Sequence, residues 1–280
     1  MTTTTHNPVR RWIGGVAAIV IVTVIFIVPF IFIFLTASKN KTEAAERLFT
    51  WPTEWKIVEN FVEVIERNNY LLPRAFLNSL ILTVCAVFLI TVLSAMVGYV
   101  LQRRRSGWNK LVNFLVLAGL IIPAAVVPTI WVLQGVGLFK TMPGLILVHV
   151  AFGLPFCVLL FTAFMTTIPR DLDEAAIIDG AGPFKLFFRV IFPLLRPVTV
   201  TIVVVQSVFV FNNFDFALYF LPGDQNATVQ LTLYNYQAQS VSAWNLLFMC
   251  VLVITVPLLI MYIVFNRQIV AGMTAGAVKG

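Results

Sequence analysis

Apolar residues run along this chain in six long unbroken blocks, at residues 12–35, 76–101, 111–133, 145–167, 198–220 and 246–265. A helix rises about 1.5 Å per residue, so about 20 apolar residues cross a bilayer core about 30 Å thick. Each block is long enough. None contains Lys, Arg or Glu, and the one His and one Asp inside them are His149 and Asp215. A membrane barrel would instead show strands of about 10 residues alternating in polarity. The pattern predicts an all-α polytopic membrane protein with six transmembrane helices, a spanning body over 12–267 and terminal segments at 1–11 and 268–280. Arg10 and Arg11 precede the first block as they would precede a signal peptide. Its uncharged run is longer than the 7–15 or so residues of a signal core, so it reads as an uncleaved anchor.

The polar segments between blocks are more varied. Residues 36–75 carry Trp55, Val58, Phe61, Val62 and Ile65 at helical spacing, with Glu59, Glu63 and Glu66 between them. This predicts a helix lying at the membrane interface, or part of a docking platform for an external partner. Residues 102–107, with Arg103, Arg104 and Arg105, form a tight basic turn. In 168–193, Pro169 sits where a missing N–H costs little, and Asp171 or Asp173 can cap the next helix. Acidic residues fill that helix's first turns, where its dipole favours them. It runs to about Ile178 and stops at Gly180, which is free to adopt left-handed dihedrals. Phe184, Phe187, Phe188 and Ile191 then form a second apolar stripe before Pro193. Residues 221–244 are polar and aromatic, and Tyr234, Asn235 and Tyr236 suit a carbohydrate, a protein surface or a headgroup belt.

Composition agrees with lipid as the solvent. The 280 residues are 60% hydrophobic and 11% charged, against about 25% charged in soluble domains. So little polar surface excludes a soluble enzyme, a disordered regulator and a free nucleic-acid binder. The net charge of +7 is unevenly placed. The N-terminus, 102–110, 168–197 and the C-terminal tail hold twelve Lys and Arg against four acidic residues, whereas 36–75 holds six of each sign. Lys140, Asp215 and Asp224 complete the second side. Lys/Arg excess marks the cytoplasmic face, so both termini are expected there. The basic character reflects topology and implies no nucleic-acid partner.

Chemistry is sparse. Cys85, Cys157 and Cys250 lie inside the blocks, where they act as small apolar residues with no metal or disulfide spacing. No Gly-x-x-x-x-Gly-Lys-Ser/Thr loop is present to cradle ATP phosphates, and no protease-type or hydrolase-type motif occurs. No catalytic residue, bound cofactor or metal ligand is expected. Asn212, Asn213 and Asp215 fall within one turn of the fifth block, with Gln206 about a turn and a half earlier. Polar groups inside spans face a bundle interior or a water-filled cavity, so these four are candidates for lining a path. Hydrogen bonding between helices is the alternative. His149 reads as a neutral, hydrogen-bonded bundle histidine.

Glu174-Ala175-Ala176, Gly180 and Pro193 stand in the register Glu-Ala-Ala, three residues, Gly, nine residues, Ile-x-Leu-Pro, with Val190 and Phe192 at the Ile and Leu positions. This resembles the EAA loop of permease subunits in bacterial ATP-binding cassette importers. Glu59-Asn60-Phe61, Asn78-Ser79-Leu80, Leu154-Pro155-Phe156 and the 272–280 tail are similar to the shorter, maltose-type second permease of the carbohydrate-uptake branch. One stretch departs: Phe211-Asn212-Asn213-Phe214 stands where that family has Trp-Asn-Glu-Phe, and the nearest negative charge is Asp215.

The resemblance implies a type I importer transmembrane domain in the bacterial plasma membrane, with 168–193 as its coupling loop. Glu174 would be a polar anchor on a cytoplasmic ATPase. Ala175 and Ala176 would permit close approach and Gly180 would make the turn, with Asp179 and Pro193 in the same coupling set. It implies a second homologous permease, two ATPase subunits carrying ATP and Mg, and an extracytoplasmic sugar-binding protein approaching 221–244. The 268–280 tail would reach toward the ATPase dimer. The expected function is half of the translocation path of an ATP-driven importer of a sugar or oligosaccharide. An importer of glycerol phosphate or polyols would look similar. A secondary transporter or channel would carry a charged relay or related halves, and neither is visible.

Overall fold

The computed structural model describes residues 8–104, 106–223, 226–239 and 243–277. Arg105, Asp224 and the last residues of the tail lie outside them, and the side chains of 264–277 are likewise not described. Among the described residues the regular structure is entirely helical. The order is α1 (Pro8–Ala37), α2 (Lys41–Ala45), α3 (Ile57–Arg103), α4 (Trp108–Ile121), α5 (Val126–Gly135), α6 (Met142–Met165) and α7 (Asp171–Ile178). A short α8 (Pro183–Lys185), a π-helical turn (Leu186–Ile191) and α9 (Phe192–Leu194) follow. The chain ends with α10 (Arg196–Asn212), α11 (Asp215–Phe220), α12 (Val229–Gln239) and α13 (Trp244–Ala277).

Among the described residues, Ala18–Ala37, α3 and α6 are each long and apolar enough to cross a membrane alone, and Pro183–Leu194 with Arg196–Asn212 forms a pair bent by 79°. Two predicted blocks are interrupted where they were expected to be continuous. Block 111–133 is split into α4 and α5 because Ile122 precedes Pro123 and takes an extended conformation (ψ 122°). Block 198–220 breaks after Asn212, with Asn213 extended (ψ 114°).

The chain folds as two compact units, one from Met1–Tyr70 with Leu233–Leu258, the other from Leu71–Thr232 with Leu259–Gly280. In the first, Asn60 is the polar hub. Its amide donates to the carbonyls of Ala37 and Lys39, each at 2.8 Å, and its oxygen accepts from Asn245 at 2.8 Å. Lys39 is buried as well, donating to the Leu48 carbonyl and the Thr50 hydroxyl. The Asn60 bond to Ala37 satisfies a carbonyl that the end of α1 leaves without a helical partner. The Asn60 bonds also turn α3 so that Asn60 and Val64 face inward, which leaves Val58, Phe61 and Val62 of the predicted stripe exposed. This unit's share of α3 ends in a left-handed run at Asn68, Asn69 and Tyr70 (φ 51, 56 and 58°).

The second unit is built around α6, which packs against α4, α10 and α11. Glycines let the helices close in. A Cβ on Gly98 of α3 would lie 2.9 Å from the Phe161 Cβ, and one on Gly119 of α4 would lie 2.7 Å from the Pro155 ring. A Cβ on Gly153 of α6 would lie 2.8 Å from Ile90. Lipid tails are as apolar as leucine, so such close packing supplies much of the attraction between membrane helices. One core gathers Leu82, Leu145, Val148, Val210 and Phe220; another gathers Ile90, Phe161, Met165, Ile191, Leu195 and Ile202.

Candidate functional site

Helix α7 ends as its sequence dictates. Gly180 takes φ +78°, its N–H bonds the Ile177 carbonyl at 3.0 Å, and the Ala181 N–H bonds the Ala176 carbonyl at 2.9 Å. This pair of bonds is the Schellman closure, which requires a left-handed residue where Gly180 stands. Ala176 and Ala181 pack inward against the core of the second unit. Ala176 therefore permits close approach to the chain's own body, while Ala175 faces outward. Asp171, Glu174, Ala175 and Ile178, spaced to share one helix face, are all exposed, and Ile178 is 85% exposed. Asp179 is exposed at the turn.

The start of α7 differs from expectation. No side chain caps it. Asp173 instead points inward and pairs with Arg103 of α3 at 3.1 Å, the two side chains being 12% and 8% exposed. The pairing draws its carboxylate away from the free N–H groups of the first turn. Arg103 also donates to the Ile168 carbonyl at 2.9 Å, and Arg170 donates to the Gln102 carbonyl at 3.2 Å. Tyr99 packs against Phe187 with ring centroids 5.6 Å apart and the planes tilted by 56°. Sequence reasoning counted Arg103 only as a topological charge. The partnership spans two polar segments, and no local pattern announces it.

Beyond α7, the π-helical turn buries Leu186, Phe187 and Ile191. Phe184 and Phe188 of the predicted stripe remain exposed. Exposed Pro193 opens the last short helix before the 79° bend.

The pathway candidates separate. Asn212 and Asp215 are exposed. The Asn212 oxygen accepts from the Gln230 amide at 3.2 Å, which adds Gln230 to the cluster. Asn213 accepts from the Phe216 N–H at 2.9 Å, so its side chain caps the short helix that follows the break. Gln206 is buried and donates to the Cys157 sulfur at 3.2 Å. It is placed as a contact between α10 and α6, which Gly153 lets approach closely. His149 is buried beside the Phe216 ring, with centroids 5.1 Å apart, and neither ring nitrogen has a hydrogen-bond partner. The expected bonded histidine is an unbonded one in an apolar wall.

Residues 221–244 were expected to be loop; α12 occupies their middle, opened by Thr228, whose hydroxyl accepts from the Leu231 N–H. Ser79 accepts from the Val229 N–H at 2.9 Å and Asn78 donates to the Ala227 carbonyl at 3.2 Å. Tyr234 is exposed and Asn235 half-buried. Tyr236 is 2% exposed, with its hydroxyl donating to the Val64 carbonyl at 3.3 Å and the Arg67 guanidinium 5.3 Å from its ring centre. Burial pushes its hydroxyl up to about 12, the nearby Cys250 adding to the rise and Arg67 opposing it. Tyr236 is thus a strut of the first unit and is not available to a docking partner.

Residues 90–273, which hold α7, the bend and α10, match the family of binding-protein-dependent transport system inner membrane components. The chain belongs to that family. It is a multi-pass inner membrane component of a transport system, with a transport role and no enzymatic one. Among curated relatives, this permease is 33% identical over 267 residues to a diacetylchitobiose uptake system permease of Streptomyces coelicolor, covering 94% of this chain and 87% of that one. It is 31% identical over 256 residues to a melibiose/raffinose/stachyose import permease of Bacillus subtilis, covering 90% and 91%. Its fold is similar to a chain in the crystal structure of a bacterial ABC transporter that imports the acidic polysaccharide alginate. There the TM-score is 0.78 at 20% identity, over 95% of this chain and 99% of that one.

Proposed function

We propose that this permease is the transmembrane subunit of an ATP-driven, binding-protein-dependent importer of a sugar or oligosaccharide. It forms half of the path and takes its drive from a separate ATPase through α7. The observation that carries the coupling role is α7 itself: a two-turn helix with an inward face packed on its own core and an outward face of Asp171, Glu174, Ala175 and Ile178 left uncovered. Such a helix transmits rigid-body displacement. Exposed Asn212 and Asp215, with half-buried Gln230 beside them, present amide and carboxylate groups suited to sugar hydroxyls. Tyr234 and Asn235 are the remaining candidates for facing the binding protein.

Six helices form half of a channel, so the working assembly contains a second, homologous permease, two ATPase subunits that hold ATP and Mg, and a sugar-binding protein. Both termini lie in the cytoplasm in this reading, with 268–280 directed toward the ATPases. The substrates for which the relatives are named, diacetylchitobiose and the melibiose/raffinose/stachyose group, support a small oligosaccharide as cargo. The test is replacement of Glu174 by Ala in the reconstituted complex. ATP hydrolysis should persist while uptake falls; unchanged uptake rejects α7 as the coupling element.

A further inference from the structure

The buried pair between α3 and α7 has no part in binding either sugar or ATPase as those roles are described above. Arg103 is the last residue of α3, and its guanidinium holds three acceptors from one segment. It pairs by charge with the Asp173 carboxylate at 3.1 Å and donates hydrogen bonds to the Ile168 carbonyl at 2.9 Å and the Pro169 carbonyl at 3.4 Å. All three contacts are made by one terminal nitrogen, so a lysine ammonium, with its donors on one atom, can reproduce them. Arg170 returns the contact by donating to the Gln102 carbonyl. The two segments are thus cross-tied in both directions. Asp173 is the one acidic residue of the first turn of α7 that does not face solvent.

A buried pair of this kind adds little net stability over an apolar contact, and its best-attested use is fixing one arrangement among several. On the other side of α7 the chain enters a π-helical turn, a geometry frequent at functional sites. One end of α7 is therefore bolted to α3, and the other leads into an irregular turn.

We propose that Arg103 and Asp173 are positioning residues that make α7 and the inner end of α3 one rigid unit. A displacement of α7 then reaches the second span directly, without passing through the bend before α10. The proposal rests on the coupling role of α7 given above.

The experiment places spin labels at Val100 and Ile177, both exposed and neither on the outward face assigned to the ATPase, in a chain whose three cysteines are replaced by alanine, and reads their separation by electron paramagnetic resonance. It is run on the chain alone in lipid nanodiscs and on the assembled complex with and without ATP and vanadate. The unsubstituted pair gives one narrow distance, unchanged by nucleotide. Arg103→Gln and Asp173→Asn each lose the single narrow distance, and in the complex ATP and vanadate then move the two labels apart. Arg103→Lys, which keeps the charge, recovers the narrow distance. Should a lone buried charge prevent folding, the double variant Arg103→Gln/Asp173→Asn carries the same test. A narrow distance retained in that double variant, or a nucleotide-dependent distance with the pair intact, overturns the proposal. Absence of a bound ATPase would reject the coupling reading instead, and the nanodisc measurement would still decide the pair.

Discussion

At the scale of the residue, the polar side chains of this permease divide into those that hold the fold and those left open. Asn60, Gln206, Asn213 and Tyr236 each bond within the chain. Asn213→Ala removes the cap of α11 and should cost about 1 kcal/mol. Asn213→Asp should restore that stability, and thermal denaturation of the purified chain distinguishes the two. Gly180 stands at φ +78° with open space where a Cβ would go. Gly180→Ala therefore meets backbone strain alone, roughly 1–2 kcal/mol, and should loosen the end of α7 without disturbing its neighbours. Uptake per ATP hydrolysed should fall; a ratio equal to the parent's would remove Gly180 from the coupling element. Tyr236 adds a pH dependence. Its folded pKa lies above the ordinary value of 10.0, so the native state keeps a proton the unfolded chain has released. Stability is thus flat below the ordinary value and declines as pH rises from there toward about 12. Tyr236→Phe should remove that decline in alkaline melting curves.

At the scale of the element, the apolar blocks announced the helices because length and polarity alone decide what crosses lipid. The end of α7 was equally legible, since a glycine between a short acidic helix and a proline has few other uses. What was not legible depended on partners distant in sequence. Asp173 was expected to cap its own helix, and Arg103, brought near by the packing of α3, drew it inward. The apolar stripe of residues 55–65 was expected to form an interfacial helix or a docking platform, and three buried hydrogen bonds at Asn60 decide which of its residues turn inward. An unmet buried polar group costs about 1–3 kcal/mol, which outweighs leaving a few apolar side chains facing lipid. Helix packing also rests on small residues that a hydropathy pattern passes over. Gly98→Leu should force α3 away from Phe161, at a cost of about 1–3 kcal/mol. Lower yield of folded protein from the membrane would show it, and an unchanged melting temperature would contradict the close contact.

At the scale of the whole molecule, the scarce charges sort by task. Basic residues gather beside the α3–α4 turn and the 168–197 segment, where they fix orientation in the membrane. The outward acids of α7 remain uncovered in a single chain. The family match makes the chain an inner membrane component of a transport system, and α7 is the face proposed above for its ATPase. The central claim is that this face binds an ATPase. The most direct measurement is affinity purification of the tagged chain from its native membrane in mild detergent, followed by identification and stoichiometry of what accompanies it. The account predicts one homologous permease and two ATPase subunits, both lost when Glu174 and Ile178 are replaced together by Arg. Recovery of the chain alone, or of an ATPase that stays bound to that variant, would contradict it.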